Sequence, residues 1–257
     1  MPSMGDYIVT VKLLLEEAAK YVSLLIIAVL AIRLWRRFPK ISGPNRRKNF
    51  LAACFFSLIA CGTGYFSFCH SMGLLYSYYG TRAFENGNFV PAFSLFQTSL
   101  GCWKTADALG KQGVCLLLSG RPEEGMKLLD EANAMRGYQS LFEQFYEGGH
   151  YFFDDQPDKA APLLEEASAD PSFRYKTIKL LAIIKLDGNQ PAEAMRLMNP
   201  FLQLKPEECD QAYIVASLDL LDGKKAAAKE LLNQFPSENL PAFWKPRFDK
   251  LRAEIQN

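Results

Sequence analysis

A turn residue recurs at a nearly constant interval between positions 80 and 235, and this spacing constrains the fold more tightly than any other feature of the chain. Gly87, Gly120, Asp155, Asn189 and Gly223 follow one another at intervals of 33, 35, 34 and 34 residues. Five positions after each comes a small residue: Ala92, Gly125, Ala160, Ala194 and Ala228. Seven positions before each comes another: Gly80, Gly113, Gly148, Ala182 and Ala216. Apolar residues keep the same register, with Phe84, Leu117, Phe152, Leu186 and Leu220 three positions before the turn. Eight and nine positions after it stand Leu95-Phe96, Leu128-Leu129, Leu163-Leu164, Leu197-Met198 and Leu231-Leu232. Agreement at this many offsets marks an internal repeat the length of a helical hairpin.

The period predicts a stack of five helix-turn-helix units. Small residues recur where the two helices of a hairpin cross, because a larger side chain would force the backbones apart. Gly, Asn or Asp stands at the turn because the chain leaves the first helix through a left-handed or tight conformation. Pro122, Pro157 and Pro191, each two positions past the turn, suit the first turn of a helix, where a missing N–H costs nothing. Pro171, Pro206 and Pro241 are placed to stop second helices.

This period and this placement of small and apolar residues resemble the tetratricopeptide repeat family. The resemblance covers residues 74–236 and implies an all-α solenoid in which the first helix of each pair lines a concave, partner-binding surface. The later small residue of the second helix is Ala132 and Ala167 in two repeats but Phe201 and Phe235 in the last two, which predicts altered packing there.

Ahead of the repeats the chain is strongly apolar. Residues 1–17 form a short lead; apolar segments at 18–38 and 50–72 predict a two-helix transmembrane hairpin, joined by the loop 39–48 with Pro39, Gly43 and Pro44. No A-x-A-like site follows the first segment and its basic cluster lies after it, so it does not fit a cleaved signal peptide. Asn49 to Thr81 holds 33 residues with no Asp, Glu, Lys or Arg. At about 1.5 Å per residue that outruns a bilayer core. With His70, Tyr76, Tyr78 and Tyr79 marking the exit, the second span is expected to continue without a break into the first helix of repeat one.

The loop and its flanks carry Arg33, Arg36, Arg37, Lys40, Arg46, Arg47 and Lys48 and no acid, against Lys12 on one side and Arg82 on the other. Basic loops stay cytoplasmic, which in a bacterial inner membrane puts the repeats in the periplasm. Cysteines favour the alternative, a cytosolic repeat domain. Cys102, Cys115 and Cys209 are odd in number, and the first two, read on one helix, stand about 20 Å apart and cannot bridge. On the second span Ala53, Ser57, Ala60, Gly64 and Ser67 step by four and three, a seam of small residues that lets membrane helices approach closely. It serves either the first span or another membrane protein.

Chemistry is sparse. The only histidines are His70 and His150, with no nucleophile context, and no strand precedes a phosphate-binding glycine loop. Cys54, Cys61 and Cys69 lack a metal-binding spacing. Acid pairs such as Glu123-Glu124 and Glu165-Glu166 read as solvated helix faces. The expectation is a non-enzyme with no catalytic residue, metal or cofactor, and the net charge of +1 argues against nucleic acid.

On the family's geometry, Phe142, Phe145, Tyr146 and Gly149 of repeat three face the groove, beside Lys111 and Val114 of repeat two and Lys176, Lys179 and Ile183 of repeat four. Two readings stand side by side: an aromatic patch flanked by lysines that takes an apolar segment bearing a carboxylate, or inter-repeat core. The family's clamp for C-terminal carboxylates is not reproduced, since Ser77, Gly110 and Tyr213 occupy positions where lysine is wanted. Over 237–257, Trp244, Phe248, Leu251 and Ile255 make one amphipathic face, either a cap on the last repeat or a partner-binding tail. The expected function is an inner-membrane scaffold whose repeats position partner proteins of a cell-envelope assembly. In layout the chain is similar to the membrane repeat component of Pel-type exopolysaccharide synthesis and export machines. An accessory subunit of pilus, respiratory or secretion machinery is the alternative.

Overall fold

The computed structural model describes residues 26, 28–33, 35–36, 45–201 and 208–256, and among them regular structure is helical throughout, with no strand. The helices are α1 (Asn45–Glu85), α2 (Phe89–Cys102), α3 (Ala106–Leu118), α4 (Pro122–Arg136), α5 (Leu141–Phe153), α6 (Pro157–Ala167), α7 (Arg174–Asp187), α8 (Pro191–Met198), α9 (Cys209–Leu221), α10 (Lys225–Asn233) and α11 (Lys245–Gln256).

One backbone device closes all five hairpins. Gly87, Gly120 and Gly223 have φ of 75°, 76° and 74°, and Asp155 and Asn189 have 58° and 56°. Each turn amide donates to the carbonyl three residues back, on Phe84, Leu117, Phe152, Leu186 and Leu220. The next amide, of Asn88, Arg121, Gln156, Gln190 or Lys224, donates to the carbonyl five residues back at 2.7 to 2.9 Å. This pair of bonds is the Schellman motif, which satisfies helix-end carbonyls only if one residue turns left-handed. Pro122, Pro157 and Pro191 then open α4, α6 and α8 at their first turn.

The small residues lie where expected. A Cβ placed on Gly113 would come within 2.9 Å of the Gly125 carbonyl oxygen, and one on Gly125 within 2.8 Å of the Gly113 oxygen. At Gly148 the obstacle is Leu164 at 2.9 Å, and at Gly80 the Phe96 ring at 2.8 Å. At the remaining small positions Ala92, Ala160, Ala182, Ala194, Ala216 and Ala228 are fully buried. Phe96, Leu129, Leu164, Met198 and Leu232, the second members of the apolar pairs, fill the crossings; each such side chain contributes about 1.5–3 kcal/mol by leaving water.

The chain divides into two compact units, Met1–Leu109 and Gly110–Asn257. In the first, α1 is one unbroken helix of 41 residues, about 61 Å long at 1.5 Å per residue. It packs along α2: Ser99 Oγ donates to the Gly73 carbonyl at 2.7 Å, and Trp103 sets its ring edge-on to Phe66 and His70. The stretch Phe50–Glu85 is the candidate membrane span among the described residues, with 6% of its apolar window buried. Residues 1–17, most of the segment 18–38 and the loop positions 39–44 lie outside the described residues. What is described of the segment 18–38 touches the first part of α1: Trp35 Nε1 donates to Ser57 Oγ at 3.0 Å and its ring meets Phe50 edge-on. The seam is buried at Ala53 and half-buried at Ser57, Ala60, Gly64 and Ser67. No described residue would touch a Cβ on Gly64 within 4 Å.

In the second unit α5, α7 and α9 neighbour one another in series, each paired with its own second helix, and α11 packs on α9 and α10. Ala132 and Ala167 are buried inside α4 and α6. Phe201 and Phe235 instead lie past the ends of α8 and α10, because Pro200 cannot continue α8 and the chain goes into a short 3₁₀ turn, Asn199–Phe201. Cys102 and Cys115 do not share a helix: Cys102 ends α2 and Cys115 lies within α3, because the extended Trp103 interrupts the helical run. All six cysteines are free, and burial pushes the Cys115 thiol up to about 12, leaving it an inert small hydrophobe.

Replacing Gly120 by Ala should cost about 1 kcal/mol, while Asn189→Gly should gain a few tenths to about 1 kcal/mol, since an L side chain is strained at positive φ. Gly113→Val should cost more than Gly120→Ala, because its new side chain meets backbone. Urea unfolding of the three variants checks the order.

Candidate functional site

Helix α5 is positioned by a complete capping box. Ser140 Oγ accepts from the Glu143 amide and Glu143 Oε2 accepts from the Ser140 amide, at 3.3 and 3.1 Å. From this start the helix presents Phe142, Phe145 and Tyr146, all half-buried. Their common neighbour is Phe173, the residue just before α7, which the sequence reading did not single out. Phe145 stacks on it at 4.7 Å with 18° between planes, and Phe142 and Tyr146 meet it edge-on at 6.0 and 6.2 Å. Phe145 also packs against the buried core. The patch therefore joins repeats three and four while leaving part of each ring exposed, and burial raises the Tyr146 hydroxyl above its ordinary range, with Cys115 adding to the shift.

The three lysines differ. Lys176 is exposed and Lys111 half-buried. Lys179 is buried and committed within the fold: its Nζ lies 2.7 Å from Glu208 Oε2 and 2.6 Å from Asp210 Oδ2, over the Tyr175 ring. Burial pulls its ammonium down, but the hydrogen bonds to Asp210 and Glu208 outweigh burial and leave it raised. Of the three, Lys176 offers the most accessible charge.

Gly110, where the family's clamp would want a lysine, has a physical reason to be glycine. A Cβ there would fall 1.7 Å from Glu143 Oε1. Glu143 is 1% exposed and held bidentate by Arg136 at 2.8 and 3.1 Å. A buried, paired carboxylate thus occupies the space a clamp side chain would need, so this groove does not present that cation.

A second constellation surrounds Asp187, at the C-terminal end of α7. Its Oδ1 accepts from the Tyr213 hydroxyl at 2.7 Å, while Oδ2 accepts from Arg247 Nε and Nη2 at 3.0 and 2.9 Å. Arg247 also lies 3.7 Å from Asp155 and over the Phe243 ring at 4.1 Å. Phe243 in turn meets Phe152 and Phe153 of repeat three at 5.2 and 5.0 Å. The segment after 236 does cap the last repeat, through buried Trp244, Phe248 and Leu251. It also reaches back across repeats four and three, which the regular spacing of Trp244, Phe248, Leu251 and Ile255 did not signal. Phe243 and Arg247 lie outside that stripe. Among the described residues no group of His, Cys, Asp and Glu could hold a metal ion.

Two measurements probe this unit. Gly110→Ala should destabilise by roughly 1–3 kcal/mol, and by much less in a Glu143→Ala background, where the obstructing carboxylate is gone; a double-mutant cycle reads the coupling. Glu147 is pushed up by burial, opposed by the Gln139 hydrogen bond and reinforced by Asp130 and Glu143. A carboxyl raised in the folded state contributes stability below its unfolded pKa and loses it as pH rises through the folded value. Glu147→Gln should therefore be more stable than the native chain at pH 7 and equal to it near pH 4.

No protein-family model matches the chain, and no curated protein matches it by sequence. Among solved structures, PilF of Pseudomonas aeruginosa has a TM-score of 0.51 at 18% identity over 73% of this chain and 87% of its own. A MamA point mutant has 0.48 at 18% over 71% and 96%, and the P58(IPK) tetratricopeptide-repeat domain 0.29 at 10% over 90% and 75%. At such identities the PilF likeness bears on fold alone. Together with the five identically closed hairpins, it supports a fold of the tetratricopeptide type.

Proposed function

We propose that the chain is a non-enzymatic, membrane-anchored scaffold whose repeats hold partner proteins of a cell-envelope assembly. The observation that carries this reading is α1. One helix supplies both an exposed apolar stretch, with Leu51, Phe55, Phe56, Leu58 and Phe66 turned outward, and the first helix of repeat one, locked to α2 at Gly73 and Gly80. In water such a bare apolar surface is costly; in lipid it is the expected lining of a span. Such an anchor runs into the first hairpin without a linker.

The cations Arg33, Arg36, Arg37, Lys40, Arg46, Arg47 and Lys48 favour a cytoplasmic loop and repeats on the opposite face. A repeat domain behind a membrane hairpin is similar in layout to the repeat component of exopolysaccharide synthesis and export machinery, which makes a glycosyltransferase and a polytopic exporter the partners to look for. The aromatic patch of Phe142, Phe145 and Tyr146 with Lys176 at its edge suits an apolar segment with an acidic group.

Affinity purification from native membranes, followed by mass spectrometry, tests the scaffold directly: co-purifying envelope proteins are expected, and a chain recovered alone would refute it. Leu58→Arg should cost about 2.5–3.5 kcal/mol of insertion and shift the chain out of the carbonate-resistant membrane fraction. Lys176→Glu should weaken partner capture without changing thermal stability. A C-terminal alkaline phosphatase fusion should be active; an inactive fusion with a fluorescent cytosolic counterpart would reverse the sidedness.

A further inference from the structure

We propose that the stretch Leu240–Arg247 is a resident occupant of a binding site on repeats three to five. The outside ligand of that site would be a peptide segment presenting an aromatic residue and, four positions later, an arginine. The inference rests on the scaffold reading and names what one face of the scaffold accepts.

The site has two halves with matched chemistry. Phe152 and Phe153 close around the Phe243 ring, and Asp187 takes the Arg247 guanidinium through two nitrogens on one oxygen. Tyr213 donates to the other oxygen of Asp187 and so orients the carboxylate. The receiving side belongs to the repeats, while the donated pair lies on a segment after the last repeat. Two clefts of about 450 and 540 Å³ flank Arg247 and share Asp155 and Asp187 in their walls, with Lys185 in the first and Lys250 in the second. Asp155 keeps a side chain 88% exposed, and Asp158 lines the first cleft as well.

The occupant is held unevenly. Trp244 and Phe248 are buried beside Tyr213 and belong to the cap. Phe243 and Arg247 are instead half-buried, with Phe153 beside Phe243 at 55% exposure and Phe152 at 3%. Pro241 and Ala242 before them are exposed. The Arg247–Asp187 pair is partly shielded, with side chains 19% and 33% exposed, and an aromatic with an arginine in such a partly dry pocket is the kind of anchor that dominates recognition. A competing segment can take the pocket of Phe243 and Arg247 while the cap stays in place.

The test uses the full chain in detergent and a fluorescent peptide of residues 239–249. The Phe243→Ala/Arg247→Ala variant should bind the peptide at least tenfold more tightly than the native chain, and adding Asp187→Asn should remove that gain. Equal, negligible binding by a helical variant would overturn the proposal. Hydrogen exchange on the native chain decides the matter if the variant does not fold: the amides of residues 242–245 and of Arg247 should exchange at least tenfold faster than those of α9 and faster still with excess peptide. Exchange at the α9 rate would make the segment plain core and end the idea. Peptide binding without any co-purifying partner would refute the scaffold and leave this site standing; partner capture with no peptide exchange would do the reverse.

Discussion

Everything in the repeats depends on two helices approaching until their backbones nearly touch. At Gly113 and Gly125 each carbonyl oxygen occupies the space where the other's Cβ would stand, so the crossing distance is set by what is missing from the side chains. Such an approach is stable only if the chain can reverse direction at once, and the left-handed residue closing each first helix makes that reversal while satisfying the last carbonyls. Tight crossing and tight turn are one constraint seen at two places. The large apolar residues, Phe96, Leu129 and Leu164 among them, then fill the seams that the crossing leaves on either side.

The same logic gives α1 its double use. A helix that must end at Glu85 in the Schellman turn of Gly87 has no requirement at its beginning, so it can extend upstream for as long as its surface has a suitable solvent. Its outward Leu and Phe residues, Leu51, Phe55 and Leu58 among them, leave that upstream surface apolar. Rigidity follows from backbone hydrogen bonds alone, because an uninterrupted helix transmits orientation where a loop would lose it.

Much of this was legible residue by residue. The five turn positions, the ten small positions and the helix-opening prolines follow from backbone sterics, which act locally and so leave a periodic trace. The continuity of α1 was legible too, from a charge-free run between Asn49 and Thr81 that is longer than a bilayer core needs. The aromatic patch was half legible: Phe142, Phe145 and Tyr146 share a helix face, yet nothing periodic points to Phe173, which belongs to a connection between repeats. Lys179 looked like a free cation because its partners, Glu208 and Asp210, lie across an inter-helix boundary some thirty positions away.

By itself, then, the chain determined what short-range rules control: where each hairpin turns, where its helices touch, and that a long apolar helix leads into them. Only the tertiary structure decided which charges and rings meet across repeats. Glu143 against Gly110, and Arg247 against Asp187 and Asp155, are contacts between residues far apart in sequence, brought together by the stacking angle of successive hairpins. That angle is the sum of many packing contacts rather than the property of any one motif, so no local pattern records it.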